Sequence, residues 1–176
     1  MITLRNSKIT FYGNRGMTLE EDINLTNEYY QEKHIALIYK KPIPIKVLKV
    51  NETKTRIKDG FYETKSTLDY SGIYQERYLE FDAKETNSKT SFPISNIHPH
   101  QIEHIKNVLS YNGIAFLIIR FNLLNKTYIL DGKKLIEFIN TQDRKSIPID
   151  YFEKNCQVVE LKYRPRLDYL KLIDIS

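Results

Sequence analysis

The 176-residue chain has a single cysteine, Cys156, only six glycines and no long apolar run. One thiol cannot build an internal disulfide framework or a four-cysteine zinc site, so Cys156 is read as a small buried or half-buried residue. The opening stretch MITLRNSKITFYGNRG holds no apolar segment of signal-peptide length. The longest apolar run, IAFLII at 114–119, is far too short to span a bilayer. No glycine-rich phosphate loop supports an NTPase, and nothing local resembles a Ser-His-Asp or Cys-His arrangement. His100 and His104 share a helix face, but HQIEH lacks the glutamate that follows the first histidine of a zincin. Helix capping or phosphate contact is expected of His98, His100 and His104 instead. These absences lead to the expectation of a cytoplasmic chain in a reducing compartment, with no membrane partner.

What is present is positive charge. There are 27 Lys and Arg against 22 Asp and Glu, a net +5, with a pI near 9.1. Such a balance suits a polyanion: nucleic acid or an anionic membrane. Residues 1–16 form a polar arm with Arg5, Lys8 and Arg15 and no acid. Residues 40–65 carry eight basic side chains against three acidic ones. The length fits one domain over 1–176, with a substantial core.

Strand and helix signals alternate, giving an α/β or α+β fold with a mixed sheet. Thr18-Leu19-Glu20-Glu21 has the form of a capping box, opening a helix over about 19–33. IALIY at 35–39 is wholly apolar and is predicted as a central strand. Asp59-Gly60 is a hairpin-turn signal. It predicts a projecting hairpin stalk over 51–65 that carries Lys54, Arg56 and Lys58, with Phe61 and Tyr62 near its tip. Charges there can neutralise phosphates, and the aromatic pair can stack on bases; an ordinary solvated hairpin has the same pattern. A second hairpin follows, then a helix over 95–113, a buried strand at 114–121, a short strand at 127–130, and helices over 131–140 and 146–154.

The second hairpin, STLDYSGIYQERYLEFDAKET, carries the chemistry. Strand side chains alternate, so Leu79, Phe81 and Ala83 face one way and Tyr78, Glu80, Asp82 and Lys84 the other. A turn centred on Gln75-Glu76 puts Asp69 opposite Asp82, with Cβ atoms about 4.5–5.5 Å apart, and Thr67 opposite Lys84. Gly72 could carry a bulge. Two carboxylates so placed repel and raise each other's pKa, and a divalent cation relieves this. Such an ion acidifies water and polarises a phosphoryl oxygen, while Lys84 can offset charge developing on a phosphate. From spacing alone two readings stand: a phosphodiesterase site, or a solvated hairpin face.

Asp69, then twelve residues, then Asp82-Ala83-Lys84 resembles the D…(D/E)xK signature of the restriction-endonuclease-like nucleases. The segments NRGMTLEEDINLTNEYY, STLDYSGIY, FDAKETNSKTSFP, HPHQIEHI, RKSIP and YRPRLDYLK together resemble the RecU family of Holliday junction resolvases, in order and over nearly the whole chain. That resemblance implies a restriction-endonuclease-like mixed β-sheet flanked by helices, with a projecting hairpin stalk that enters the junction centre. It implies a metal set of Thr67, Asp69, Asp82 and Gln101, with Lys84 stabilising the transition state. Glu20, on the first helix, is a candidate additional acid; a first-turn acid on the helix dipole is the alternative. The implied activity is Mg²⁺-dependent cutting of four-way DNA junctions, with Mn²⁺ as a substitute. Paired cuts by two sites imply a homodimer. The family is also associated with strand annealing and with a RecA-type recombinase. One departure stands out: position 82 is more usually Glu in that family, and Asp82 is one methylene shorter. This keeps open a weakly catalytic junction-binding and annealing protein.

Overall fold

The computed structural model describes residues 17–62 and 67–173. Helix α1 (Leu19–Glu32) opens on Thr18, whose hydroxyl accepts from the Glu21 N–H while the Glu21 carboxylate accepts from the Thr18 N–H. Strands β1 (Ala36–Lys40), β2 (Ile45–Val50), β3 (Ile57–Tyr62), β4 (Tyr70–Tyr74), β5 (Arg77–Thr86) and β6 (Ser91–Pro93) follow. Helix α2 (Pro99–Ser110) leads into β7 (Ile114–Phe121) and β8 (Lys126–Asp131). Helix α3 (Gly132–Thr141), β9 (Ser146–Pro148), α4 (Ile149–Asn155) and β10 (Gln157–Val158) complete the order.

Six strands form one mixed sheet in the order β1-β4-β5-β7-β8-β10. Only the β5–β7 pair is parallel, because the α2 crossover joins them, and a parallel connection needs such a length of chain. Helices cover both faces. On one face Leu19, Ile23 and Tyr30 of α1 meet Leu79, Phe81, Phe116 and Ile118. There Tyr70, Phe81 and Phe116 stack across three strands, with ring centroids 4.8 Å apart at each step. On the other face Ile105 and Val108 of α2 meet Leu117, Ile119 and Leu130. The mixed α/β architecture agrees with expectation. No helix among the described residues is long and apolar enough to cross a membrane.

The β4–β5 register follows the predicted turn: Tyr74 pairs with Arg77 and Tyr70 with Phe81. Gln75 and Glu76 both take left-handed backbone, with φ of 47° and 63°, as a two-residue hairpin turn of matching twist requires. Gly72 carries no bulge, since it pairs with Leu79 and Ile38 in register. A Cβ there would lie 2.1 Å from the Leu37 carbonyl oxygen, so glycine serves close strand approach. The pairing ends at Tyr70, and Thr67 turns to Glu80 instead of facing Lys84.

Two other expectations are corrected. IALIY forms an edge strand: Ile38 is buried while Leu37 and Tyr39 are exposed. A short apolar run reads the same at the centre and at the edge. The hairpin ribbon runs from Ile45 to Tyr62, and its turn lies at Asn51–Arg56, away from Asp59-Gly60. Pairing Val50 with Ile57 gives the β-branched run 45–50 a partner strand that a turn at Asp59-Gly60 would deny it. Asn51 Oδ1 accepts from the N–H groups of Thr55 and Arg56 and builds the loop. Gly60 sits inside β3, where a Cβ would meet the Lys46 carbonyl oxygen at 2.9 Å. Phe61 is therefore opposite Lys46, toward the ribbon root, with the ammonium 6.0 Å from its ring centroid.

After β10 the chain crosses α1. Leu167, Tyr169 and Leu170 are buried there, and Asp168 accepts from the Tyr30 hydroxyl at 3.0 Å.

Candidate active site

Strand β5 positions the chemistry by alternation. Leu79 and Phe81 fill the α1-side core, which turns Glu80 and Asp82 to the α2 side. Both acids are buried, at 1% and 0% exposure. Burying a carboxylate without partners is strongly unfavourable, and the surroundings supply partners to each.

Asp82 Oδ2 accepts from the Gln101 side-chain amide at 2.6 Å and lies 2.9 Å from Lys84 Nζ. Its other oxygen, Oδ1, is buried with no hydrogen-bond partner. Asp69 stands beside it. Burial, and then the neighbouring Asp82 carboxylate, push the Asp69 carboxyl up from 3.8 to about 6, while Lys84 and Lys40 pull the other way. An orphaned carboxylate oxygen beside a second, partly buried carboxylate is a donor set that a hard cation satisfies. Among the described residues no cluster of three or more His, Cys, Asp or Glu is arranged for a metal; the remaining donors here are neutral oxygens.

Gln101 reaches Asp82 from α2 and is 4% exposed. Its oxygen accepts from the His98 N–H at 3.1 Å, and its amide nitrogen donates to Asp82 and to the Thr67 carbonyl at 3.0 Å. The oxygen thus serves the start of α2 and the nitrogen meets the acids. Thr67 reaches the site through that carbonyl, while its hydroxyl donates to Glu80 Oε1 at 3.1 Å. Glu20 forms an ion pair with Lys40, the lysine whose charge also bears on Asp69.

Sequence reasoning gives Glu80 no role, yet it holds more partners than any predicted site residue. Oε1 accepts from Lys41 Nζ and the Thr67 hydroxyl; Oε2 accepts from Tyr78 Oη at 2.8 Å and His104 Nε2 at 2.6 Å. Burial pushes its carboxyl up, but these hydrogen bonds outweigh that and hold it below the usual carboxylate value. The signal in the sequence is its place two residues before Asp82 on the same strand face. His98 and His100 stack at the start of α2 with ring centroids 5.4 Å apart, and His98 caps it. Cys156 is half-buried, its thiol pushed up to about 12 by burial.

Of the residues expected to meet DNA, Lys54, Arg56, Lys58 and Phe61 are exposed on the ribbon. Tyr62 ends β3, its backbone paired with Ile45. Arg5, Lys8 and Arg15, and the basic arm that holds them, lie outside the described residues.

Comparison with known proteins places this chain in a family. The family model RecU, "Recombination protein U", matches residues 14–175. The Holliday junction resolvase RecU of Geobacillus kaustophilus is 47% identical over 169 residues, covering 93% of this chain and 84% of the relative. The protein of the same name from Bacillus cereus strain B4264 is 45% identical over 170 residues, covering 93% of this chain and 85% of that one. Among solved structures there is a partial likeness to Hjc, a Holliday junction resolvase of Archaeoglobus fulgidus. Its TM-score is 0.42 at 9% identity, covering 77% of this chain and 89% of that chain, too weak to carry a role across.

Proposed function

The chain belongs to the Recombination protein U (RecU) family, and from that premise we propose that it is a Holliday junction resolvase cutting four-way DNA junctions by metal-dependent phosphodiester hydrolysis. The observation that carries the chemistry is the meeting of Asp69, Asp82 and Lys84 around one buried, half-unpartnered carboxylate. Asp69 and Asp82 would hold Mg²⁺, or Mn²⁺ in its place, joined by Thr67 through its backbone carbonyl and by Gln101 once its amide turns its oxygen from the His98 N–H toward the acids. A divalent cation in that position acidifies a water and polarises a phosphoryl oxygen.

The chain's own groups do the rest. Lys84, held beside Asp82 at 2.9 Å, places a positive charge where the pentavalent phosphate gathers negative charge. The Asp69 carboxyl is raised first by burial and then by the adjacent Asp82 carboxylate, and a cation at this place would offset both. The ribbon's Lys54, Arg56 and Lys58 would neutralise junction phosphates and Phe61 would stack on bases. Two matched cuts call for two sites, hence a symmetric homodimer.

A second reading is favoured by Asp82 standing where the family more usually has Glu. In that reading the protein binds and anneals junction DNA and modulates a RecA-type recombinase, with little cutting. The deciding experiment incubates a mobile four-way junction and a matched duplex with Mg²⁺ and either the parent protein or Lys84→Ala. Resolvase activity gives paired, symmetric nicks in the junction alone, reduced about 10²–10³-fold by Lys84→Ala. Tight junction binding with no nicks under Mg²⁺ or Mn²⁺ sinks the resolvase reading in favour of the second.

A further inference from the structure

Glu80 occupies a particular place in the chain's topology. The ribbon leaves the main sheet after Lys41 and the chain returns at Thr67. Both of these residues reach the Glu80 carboxylate by their side chains. The third partner, His104, sits on α2 three residues after Gln101, so the two project from one face of that helix. Along β5, Glu80 and Asp82 are two apart on one face. Gln101 over Asp82 and His104 over Glu80 therefore make two parallel rungs between helix and strand.

Each residue of the metal set is thus one link from Glu80. Thr67 is bonded to it directly. Asp69 is reached through Lys41, whose backbone N–H donates to the Asp69 carbonyl oxygen at 2.7 Å. Gln101 is reached through the α2 turn that ends in His104. Asp82 shares its strand. Glu80 does not face the open site itself: it is buried, and both its oxygens are occupied.

We propose that Glu80 is a positioning residue for the metal set, holding Lys41, Thr67 and His104 so that Asp69, Thr67 and Gln101 converge on Asp82. It also ties the root of the DNA-contacting ribbon to the cutting centre, since entry and exit of the ribbon meet on this one carboxylate. The inference rests on the resolvase reading for what the metal set does. Outer partners of metal ligands matter because they lock the ligands' rotamers before the ion arrives.

The test measures Mn²⁺ binding by titration calorimetry on the full chain, parent against Glu80→Gln, an isosteric change that removes the charge. Thermal melts run beside it to confirm the fold. The expected result is Mn²⁺ affinity lowered about tenfold or more in folded Glu80→Gln, with junction cleavage losing kcat while KM stays within about twofold. Lys41→Met attacks the same node from its more exposed side and should weaken Mn²⁺ in the same direction. The double variant should be little worse than Glu80→Gln alone, because the two changes break the same ion pair. Folded Glu80→Gln with Mn²⁺ affinity within about twofold of the parent overturns the proposal. Should Glu80→Gln fail to fold, Lys41→Met decides by the same criterion. A parent that binds Mn²⁺ but leaves junctions uncut refutes the resolvase reading, and the Mn²⁺ comparison still decides the role of Glu80. A parent that binds no Mn²⁺ overturns both.

Discussion

Gln101 donates its side-chain N–H to Asp82 Oδ2 at 2.6 Å, joining α2 to the buried acid of β5. The same side chain caps the helix by accepting from the His98 N–H. Gln101→Leu removes both bonds, and the one to the Thr67 carbonyl, while roughly keeping the volume. Mn²⁺ affinity should fall about 10–100-fold, the range for removing a ligand or its partner. Stability should fall by about 1–3 kcal/mol, since Asp82 loses a buried donor. Calorimetry and denaturant melts check the two effects separately. Unchanged Mn²⁺ affinity in a folded variant would remove Gln101 from the site.

The Asp69 carboxyl stands at about 6 in the folded, metal-free protein against 3.8 as its ordinary value. The folded state therefore holds this proton more tightly than the unfolded chain does. Its contribution to stability is fully present below about pH 4 and is lost as pH rises through about 6. Urea midpoints of the metal-free protein should fall across that window because of this group, and Asp69→Asn should flatten the fall. Mn²⁺ should bind more weakly below about pH 6, where the proton competes for Asp69. A Mn²⁺ affinity independent of pH from about 5 to 7 would contradict the pairing.

Asp82 is wholly enclosed and keeps one oxygen without a partner. Asp82→Glu extends the arm by one methylene. Junction cutting should rise, and overpacking should lower stability by about 1–3 kcal/mol. Initial cleavage rates and thermal melts on the same preparation measure both. A fall in cutting would show that this site is fitted to the shorter acid.

The ribbon's described residues are exposed along both strands. Replacing Lys54, Arg56 and Lys58 with Ala should weaken junction binding and flatten its salt dependence by about 0.9 in log–log slope for each phosphate left without its cation. The melting temperature should hardly move, because the ribbon forms its own two-stranded sheet apart from the main one. Binding isotherms at several salt concentrations test this. An unchanged slope would mean these side chains do not touch phosphates.

Asp22 of α1 is buried between two arginines: Arg120 Nη2 at 2.6 Å from β7 and Arg166 Nε at 2.9 Å from the carboxy-terminal segment. Arg166→Ala leaves the acid with half its support. Breaking a buried pair from one side costs about 3–5 kcal/mol, read as a lowered denaturant midpoint. The double variant Asp22→Asn/Arg166→Ala should recover part of that loss, since no uncompensated acid remains. Loss of under about 0.5 kcal/mol would show the segment is held without this ion pair, by its apolar residues and its other buried hydrogen bonds.

Local pattern was enough for α1, with its capping box, for the alternation of β5, and for the Gln75-Glu76 turn that sets Asp69 against Asp82. In each case the interacting groups are close along the chain, so spacing alone carries the geometry. Family resemblance added Thr67, Gln101 and the role proposed for Lys84. Tertiary structure alone decided which groups Glu80 meets, because its partners Thr67, His104 and Lys41 lie 13, 24 and 39 residues away. It also put β1 at the sheet edge, a matter of which strands lie on either side and not of how apolar the run is. The ribbon turned at Asn51–Arg56 because pairing the whole of β2, with Ile45, Val47 and Val50, against β3 outweighed the local preference of Asp59-Gly60. Sequence thus determined which residues carry charge and on which face; the packing of α2 on the sheet, which brings Gln101 and His104 to β5, determined which polar groups those charges meet, and which is left with an oxygen unpaired.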